Sequence, residues 1–371
     1  MEKKRFIFHK NKEFCVYLKG QNRVSVKRRS FLKNAAFLTA AAAAAPVLSQ
    51  CRRRESGTDA PLGDIAREFR YGPDGTFKVL QLTDTHYITG DPRSERALST
   101  VREMLDAERP DLVIHTGDIV FGRPDLQSAQ EILQPIADRG IPFAVALGNH
   151  DSQFGATREE MYQVIRDIPG CVNLPPKEGV YGCSNDVITL AGPDGVDRVL
   201  YLFDSMDAVI LKGEEEIHCY DYIRFSQLQW YRNHSEAFAE DHGGIPVPSL
   251  AFFHIPLCEV AEGLASGGRI LAGENGEPPC PSRLNSGLLA QMRERGDVQA
   301  IVTGHDHDCD YVLDYGNMYY IYGRYSGCDT VYNHLGASGA RVFLFTQGVR
   351  SFRTWVRLQG GELRQDLVLD R

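Results

Sequence analysis

Five short segments place potential metal ligands at regular stations along the chain: Asp84-Thr85-His86, Gly117-Asp118, Gly148-Asn149-His150-Asp151, His254 and Gly304-His305-Asp306-His307. Carboxylates are hard ligands, an asparagine amide is a neutral oxygen ligand, and imidazole is of borderline softness, a mixture that suits divalent manganese, iron or zinc. Two such ions about 3.5–4 Å apart clamp a phosphoryl group and activate a bridging hydroxide for in-line attack. That arrangement needs one carboxylate shared by both ions, and Asp118 is the natural bridge. Asp84 and His86 with one of His305 or His307 would complete one ion. Asn149 and His254 with the other distal histidine would complete the second. Taken singly, each residue has a commoner explanation, since Asp or Asn after a strand is usually a cap or turn residue. Together they do not: five of the eleven histidines fall at the ends of apolar runs.

The elements that must position these residues can be read from periodicity. The pattern predicts strands over 77–82, 111–115 and 143–147, separated by helices over 94–108 and 125–138. Strand–helix alternation of this kind makes a parallel sheet, whose ligands collect where loops leave the carboxyl ends of the strands. Further strands are expected over 199–203, 250–253 and 298–302, with a helix over 226–240. Strand-like runs at 318–321, 340–345 and 352–357 finish the chain without helices between them. The expected fold is α/β: a four-layer sandwich of two mixed β-sheets flanked by helices, in one domain over 75–371.

Hydrophobic residues make up 43% of the chain and charged residues 24%, which is ordinary for a soluble domain with a large core. Residues 1–33 hold eleven Lys or Arg against two Glu, so the overall −8 conceals a body at −17. An acidic body argues against nucleic acid as a partner, because that binding depends on Lys and Arg displacing counterions. Arg28-Arg29-Ser30-Phe31-Leu32-Lys33 followed by an Ala-rich stretch reads as a twin-arginine export signal over 1–51. Leu48-Ser49-Gln50-Cys51 resembles a lipoprotein cleavage box, so Cys51 would carry lipid and residues 52–74 would be a flexible tether. The expected location is the periplasm, or a membrane surface reached through that lipid. Seven cysteines lie beyond Cys51 and form no C-x-x-C pair, which argues against a zinc ribbon.

The order D-x-H, G-D, G-N-H-D, H, G-H-x-H resembles the calcineurin-like metallophosphoesterases over roughly residues 75–345. The resemblance implies one ion held by Asp84, His86, Asp118 and His307, and another held by Asp118, Asn149, His254 and His305. It implies that His150 is the catalytic histidine, stabilising developing charge and protonating the leaving oxygen, and that Asp151 orients that imidazole. Tyr220-Asp221-Tyr222-Ile223, Gln229-Trp230-Tyr231, His254-Ile255-Pro256-Leu257, Tyr322-Gly323-Arg324 and Gly339-Ala340-Arg341 are similar to bacterial and plant relatives of purple acid phosphatases. Purple enzymes place a tyrosine three residues after the bridging Asp, where this chain has Phe121. They also lack a histidine in the first motif, where this chain has His86, so no ferric–tyrosinate colour is expected. Arg324 is a candidate phosphate contact, since a guanidinium binds phosphate oxygens in pairs.

The expected function is hydrolysis of a small phosphoester, monoesters favoured, using two divalent ions. A diesterase on the same site, or a metal-binding surface lipoprotein without catalysis, are the alternatives.

Overall fold

The computed structural model describes residues 64–212 and 216–371. The proposed export signal, the lipid-bearing Cys51 and residues 52–63 of the expected tether lie outside them. The first half runs β1 (Ile65–Arg70), β2 (Thr76–Leu82), α1 (Glu95–Glu108), β3 (Leu112–His115), α2 (Asp125–Asp138), β4 (Phe143–Val145) and α3 (Arg158–Arg166). A hairpin pair follows, β5 (Asp186–Gly192) with β6 (Gly195–Leu202), then β7 (Ala208–Lys212) with β8 (Glu216–Tyr220). Next come α4 (Phe225–Asp241), β9 (Ser249–Phe252), α5 (Cys258–Ala265), β10 (Arg269–Ala272), α6 (Leu288–Arg295) and β11 (Val298–Thr303). The chain ends with β12 (Val312–Tyr315), β13 (Met318–Tyr322), β14 (Gly339–Thr346), β15 (Phe352–Leu358) and β16 (Leu363–Leu369).

Alternation along the strands sorts side chains into separate cores. In β2, Phe77 and Val79 face the space between two sheets, while Leu80 and Leu82 face the helices. β3 repeats the division with Leu112 and Ile114 on one side and Val113 on the other. In β11, Ala300 and Val302 face the intersheet core and Ile301 the opposite one. On the helix side, Ala97, Val101, Met104 and Leu105 of α1 recur at helical spacing and are buried. Full burial of each such valine, leucine or methionine contributes roughly 1.5–3 kcal/mol.

The result is four layers. A six-stranded sheet, ordered β16-β15-β14-β2-β3-β4, packs α1, α2 and α3 on its outer face. An eight-stranded sheet, ordered β1-β5-β6-β9-β11-β13-β12-β10, packs α4 and α6 on its outer face. Both sheets are mixed. β2, β3 and β4 run parallel, as do β6, β9, β11 and β13, and antiparallel pairings join the remaining strands to each sheet, apart from β1, which runs parallel to β5. Gln81 bridges the sheets, donating from its amide to Thr116 Oγ1 and to the carbonyl of Thr303.

The expected tether boundary at residue 74 is corrected: Ile65–Arg70 is an edge strand parallel to β5. Its sequence, IAREFR, hides the pairing because its charged side chains stay exposed at the rim of the sheet.

A candidate two-metal centre

The loops leaving β2, β3, β4, β9 and β11 bring the five segments together. Asp84, His86 and His307 form one buried triad, and Asp118, His254 and His305 form another; within each triad the ligand atoms lie within 4.8 Å of one another. Two imidazole pairs face each other, His86 Nε2 and His307 Nε2 at 3.0 Å and His254 Nε2 and His305 Nδ1 at 3.2 Å. The histidines converge on two oxygens. Asp84 Oδ1 lies 3.7 Å from His86 Nε2 and 3.6 Å from His307 Nε2. Asp118 Oδ2 lies 3.1 Å from His254 Nε2 and 3.8 Å from His86 Nε2, so it reaches a histidine of each triad as a shared ligand must.

Backbone strain and glycine hold this geometry. Asp84, His86, Asp118 and His305 all have left-handed φ values, 54°, 45°, 52° and 79°. Each such residue costs on the order of 1–3 kcal/mol, and strain of this kind gathers where function over-determines the backbone. A side chain at Gly148 would overlap the Asp118 carboxylate, and one at Gly304 would overlap Thr83 and Asp84. Two ring protons are fixed by carbonyls, which only accept: His254 Nδ1–H donates to Thr116 O at 2.7 Å and His307 Nδ1–H to Tyr332 O at 3.0 Å. Both rings therefore turn Nε2 inward. Asn149 Oδ1 is buried without a hydrogen-bond donor. Such an orphan costs roughly 1–3 kcal/mol unless a cation takes its lone pair. The donor set fits two divalent ions.

The electrostatics show the competition a cation would enter. Burial disfavours charge on both carboxylates, but neighbouring histidines, His254 foremost, hold Asp84 and Asp118 well below the usual carboxylate range. Burial pushes His86 down to about 4, and burial together with the His254 charge pushes His305 down to about 3. Burial acts the same way on His254, yet the Asp118 carboxylate overcomes it and pushes that ring up to about 9. At pH 7 the metal-free site therefore carries a proton on His254, which a cation must displace. Raising the pH towards 9 removes the competitor, and lowering it strengthens the competitor. Apparent metal affinity should fall about tenfold per pH unit for each proton displaced below pH 9. Chelator competition at pH 6, 7 and 8 checks this, and a pH-independent affinity would contradict it.

His150 stands beside the triads, its Nε2 3.9 Å from Asp118 Oδ2 and its backbone N–H donating to Asp118 Oδ1 at 2.8 Å. Phe121 packs edge-on against His86 and His150, with ring centroids 5.1 Å and 4.8 Å away.

Two expectations need correction. Asp151 does not touch the His150 ring. Its carboxylate accepts backbone N–H groups from Gly148, Asp118, Ile119 and Val120, tying the second motif loop to the third. The ring partner is Gln153, whose Oε1 lies 2.8 Å from His150 Nδ1. Arg324 is not open to a substrate. It is fully buried, donates to Asp310 Oδ2 at 2.6 Å, and spends its remaining N–H groups on the carbonyls of Leu335 and Ala337. Tyr220, read in the sequence only as part of a branch-specific motif, lies edge-on to His305 at 4.4 Å, a contact that nothing in a hairpin's residue types foretells.

A four-layer α/β sandwich with two carboxylate–histidine triads where its parallel strands end defines a metallohydrolase-type fold and site. Residues 77–309 match the family model described as Calcineurin-like phosphoesterase, and the chain belongs to that family. It is 30% identical over 337 residues to a protein of Arabidopsis thaliana named probable inactive purple acid phosphatase 28, covering 78% of this chain and 82% of that one. It is 26% identical over 341 residues to the phosphatase DCR2 of Saccharomyces cerevisiae, covering 81% of this chain and 57% of that one. In fold it is similar to a dimetal phosphatase from Danio rerio, with a TM-score of 0.50 at 13% identity, over 79% of this chain and 98% of that one.

Proposed function

We propose that this protein hydrolyses small phosphate esters, monoesters before diesters. The observation that carries the reading is Asp118 Oδ2 within 4 Å of His86, His254 and His150 at once. The carboxylate that both triads would share thus lies beside the His150 imidazole, which supports a hydrolytic role. Asp84, His86, Asp118 and His307 would hold one divalent ion, and Asp118, Asn149, His254 and His305 the other. Bound there, manganese, iron or zinc would supply Lewis-acid charge neutralisation of the phosphoryl group and an activated water. The protein's own part is to fix the ligands on strained loops and to keep His150 Nε2 facing the leaving oxygen. Phe121 closes the site with an apolar edge in place of a phenolic ligand. The monoester preference draws support from the purple acid phosphatase and phosphatase names of the relatives. Names containing "inactive" belong to those relatives. In this chain the two carboxylate–histidine triads and His150 lie together, which supports an active reading.

Metal-stripped protein re-supplied singly with manganese, zinc or iron should cleave p-nitrophenyl phosphate faster than bis-p-nitrophenyl phosphate. Preference for the second substrate would make it a diesterase. Bound metal with no turnover of either would favour the non-catalytic reading. Export through the twin-arginine signal and lipid attachment at Cys51 are part of the same proposal. Fractionation and labelled fatty acid would test them, and Cys51→Ala should release the protein from membranes.

A further inference from the structure

We infer that Gln153 and Asp207 are positioning residues that set which nitrogen of His150 works on the substrate, an inference that rests on the hydrolase reading above. His150 needs such a device. A neutral imidazole carries its proton on either nitrogen, and the hydrogen bond made by one decides the role of the other. Phe121 and Phe154 flank the ring with centroids at 4.8 Å and 6.3 Å and bring no polar atom to it. The polar partner at Nδ1 is Gln153 Oε1, at 2.8 Å.

A glutamine amide alone leaves the choice open, because either end can turn inward. Asp207 removes the ambiguity: its Oδ1 accepts from Gln153 Nε2 at 3.0 Å, so the amide oxygen is the end that meets His150. The ring must then donate from Nδ1, and Nε2 is the nitrogen left facing Asp118 and the metal ligands.

Asp207 is itself held in place. Met206 adopts a left-handed turn with φ 63°, and its N–H donates to Asp204 Oδ1 at 2.9 Å. Asp204 is buried and gripped by the Arg158 guanidinium. Asp221 N–H donates to Asp207 O at 3.2 Å, closing the base of the β7–β8 hairpin. The relay therefore ties the ring, through Gln153, to a turn 54 residues beyond that glutamine, between β6 and β7.

The proton accounting is closed. As the bond from phosphorus to the leaving oxygen breaks, that oxygen keeps the electron pair and takes the proton on Nε2 of the imidazolium. The ring left behind is neutral and protonated at Nδ1, the form Gln153 accepts from. The water consumed gives its hydroxyl to phosphorus and, through solvent, a proton back to Nε2.

The test compares leaving groups. With manganese- or zinc-loaded protein, Gln153→Ala and Asp207→Ala should each lower kcat on phenyl phosphate roughly five- to tenfold, with KM little changed. A hydrogen bond at an exposed rim is of that strength. The loss on 2,4-dinitrophenyl phosphate, whose leaving oxygen needs little protonation, should be clearly smaller. Asp207→Asn keeps an acceptor for the Gln153 amide and should recover most of the phenyl phosphate activity. Equal losses on both esters, or no rescue by Asp207→Asn, would overturn the inference.

A second readout does not depend on turnover. In protein carrying ¹⁵N-histidine, neutral His150 should be protonated at Nδ1, and Gln153→Ala should shift it towards Nε2. An Nε2–H form in the unaltered protein would also overturn the relay. Absence of wild-type turnover on any ester would refute the hydrolase reading and leave the tautomer result to decide the positioning.

Discussion

Asp118→Ala should abolish measurable phosphoester hydrolysis, a loss of at least about a thousandfold, and reduce bound metal from two equivalents to one or none. Removing residues that merely support a ligand costs 10–100-fold in affinity or activity, and a ligand common to both ions must cost more. Asp118 does three things at once. Its Oδ2 lies 3.1 Å from His254 Nε2, reaches across to His86 at 3.8 Å, and lies 3.9 Å from His150. Its Oδ1 also accepts the His150 N–H. Asp118→Asn separates these roles, since the amide keeps an acceptor for that N–H and loses the charge. It should resemble Asp118→Ala in metal content and activity while keeping the thermal stability of the metal-free protein. A second consequence follows from the charge. The Asp118 carboxylate is the main influence lifting His254 to about 9 against burial, so either substitution should lower that ring's pKa. Plasma emission analysis of metal content beside steady-state kinetics settles the matter. Two equivalents of metal with undiminished turnover in Asp118→Ala would remove Asp118 from the centre.

What was legible in the sequence was the part that local chemistry dictates. Buried parallel strands must be apolar, so β2, β3, β9 and β11 read as strands, and the polar residues at their ends stood out. Glycine in three motifs was legible as well, and the reason is now specific: at Gly148 and Gly304 a side chain would strike Asp118 or Asp84. Strands with one wet face escaped. β1, β7, β8 and β16 leave nearly all of their residues exposed or half-buried, and β1 finds its partner, β5, far away in sequence. Roles that depend on orientation escaped too. Asp151 is adjacent to His150 in sequence, and adjacency suggested contact. The tight turn at 150–152 instead points the carboxylate into a ring of backbone N–H groups, and a residue three positions on meets the imidazole. No pattern links Gln153 to Asp207, because only the packing of β6 beside the motif loops brings them together.

Arg324→Ala should destabilise the fold and leave KM for p-nitrophenyl phosphate unchanged in whatever protein remains folded. The side chain is fully buried, as is the Asp310 carboxylate it pairs with at 2.6 Å. Removing one member of a buried pair leaves the other charged and unsolvated, at a cost of roughly 3–5 kcal/mol. The carbonyls of Leu335 and Ala337 lose their donors as well, which loosens the segment leading into β14. Tm falls about 2–4 °C per kcal/mol in domains of 150–250 residues, so a drop on the order of 10 °C is expected. Arg324→Lys keeps the charge but cannot serve a carboxylate and two carbonyls from one planar fork, so it should fall between. The pairing also explains why Tyr322-Gly323-Arg324, which reads in the sequence as a phosphate contact, serves the fold instead. Gly323 lets the chain pass against Gln81, and Arg324 then turns to brace Asp310, whose backbone carbonyl also accepts from Arg341. Thermal denaturation beside Michaelis kinetics separates the two roles. An unchanged Tm with KM raised several-fold would return Arg324 to the substrate.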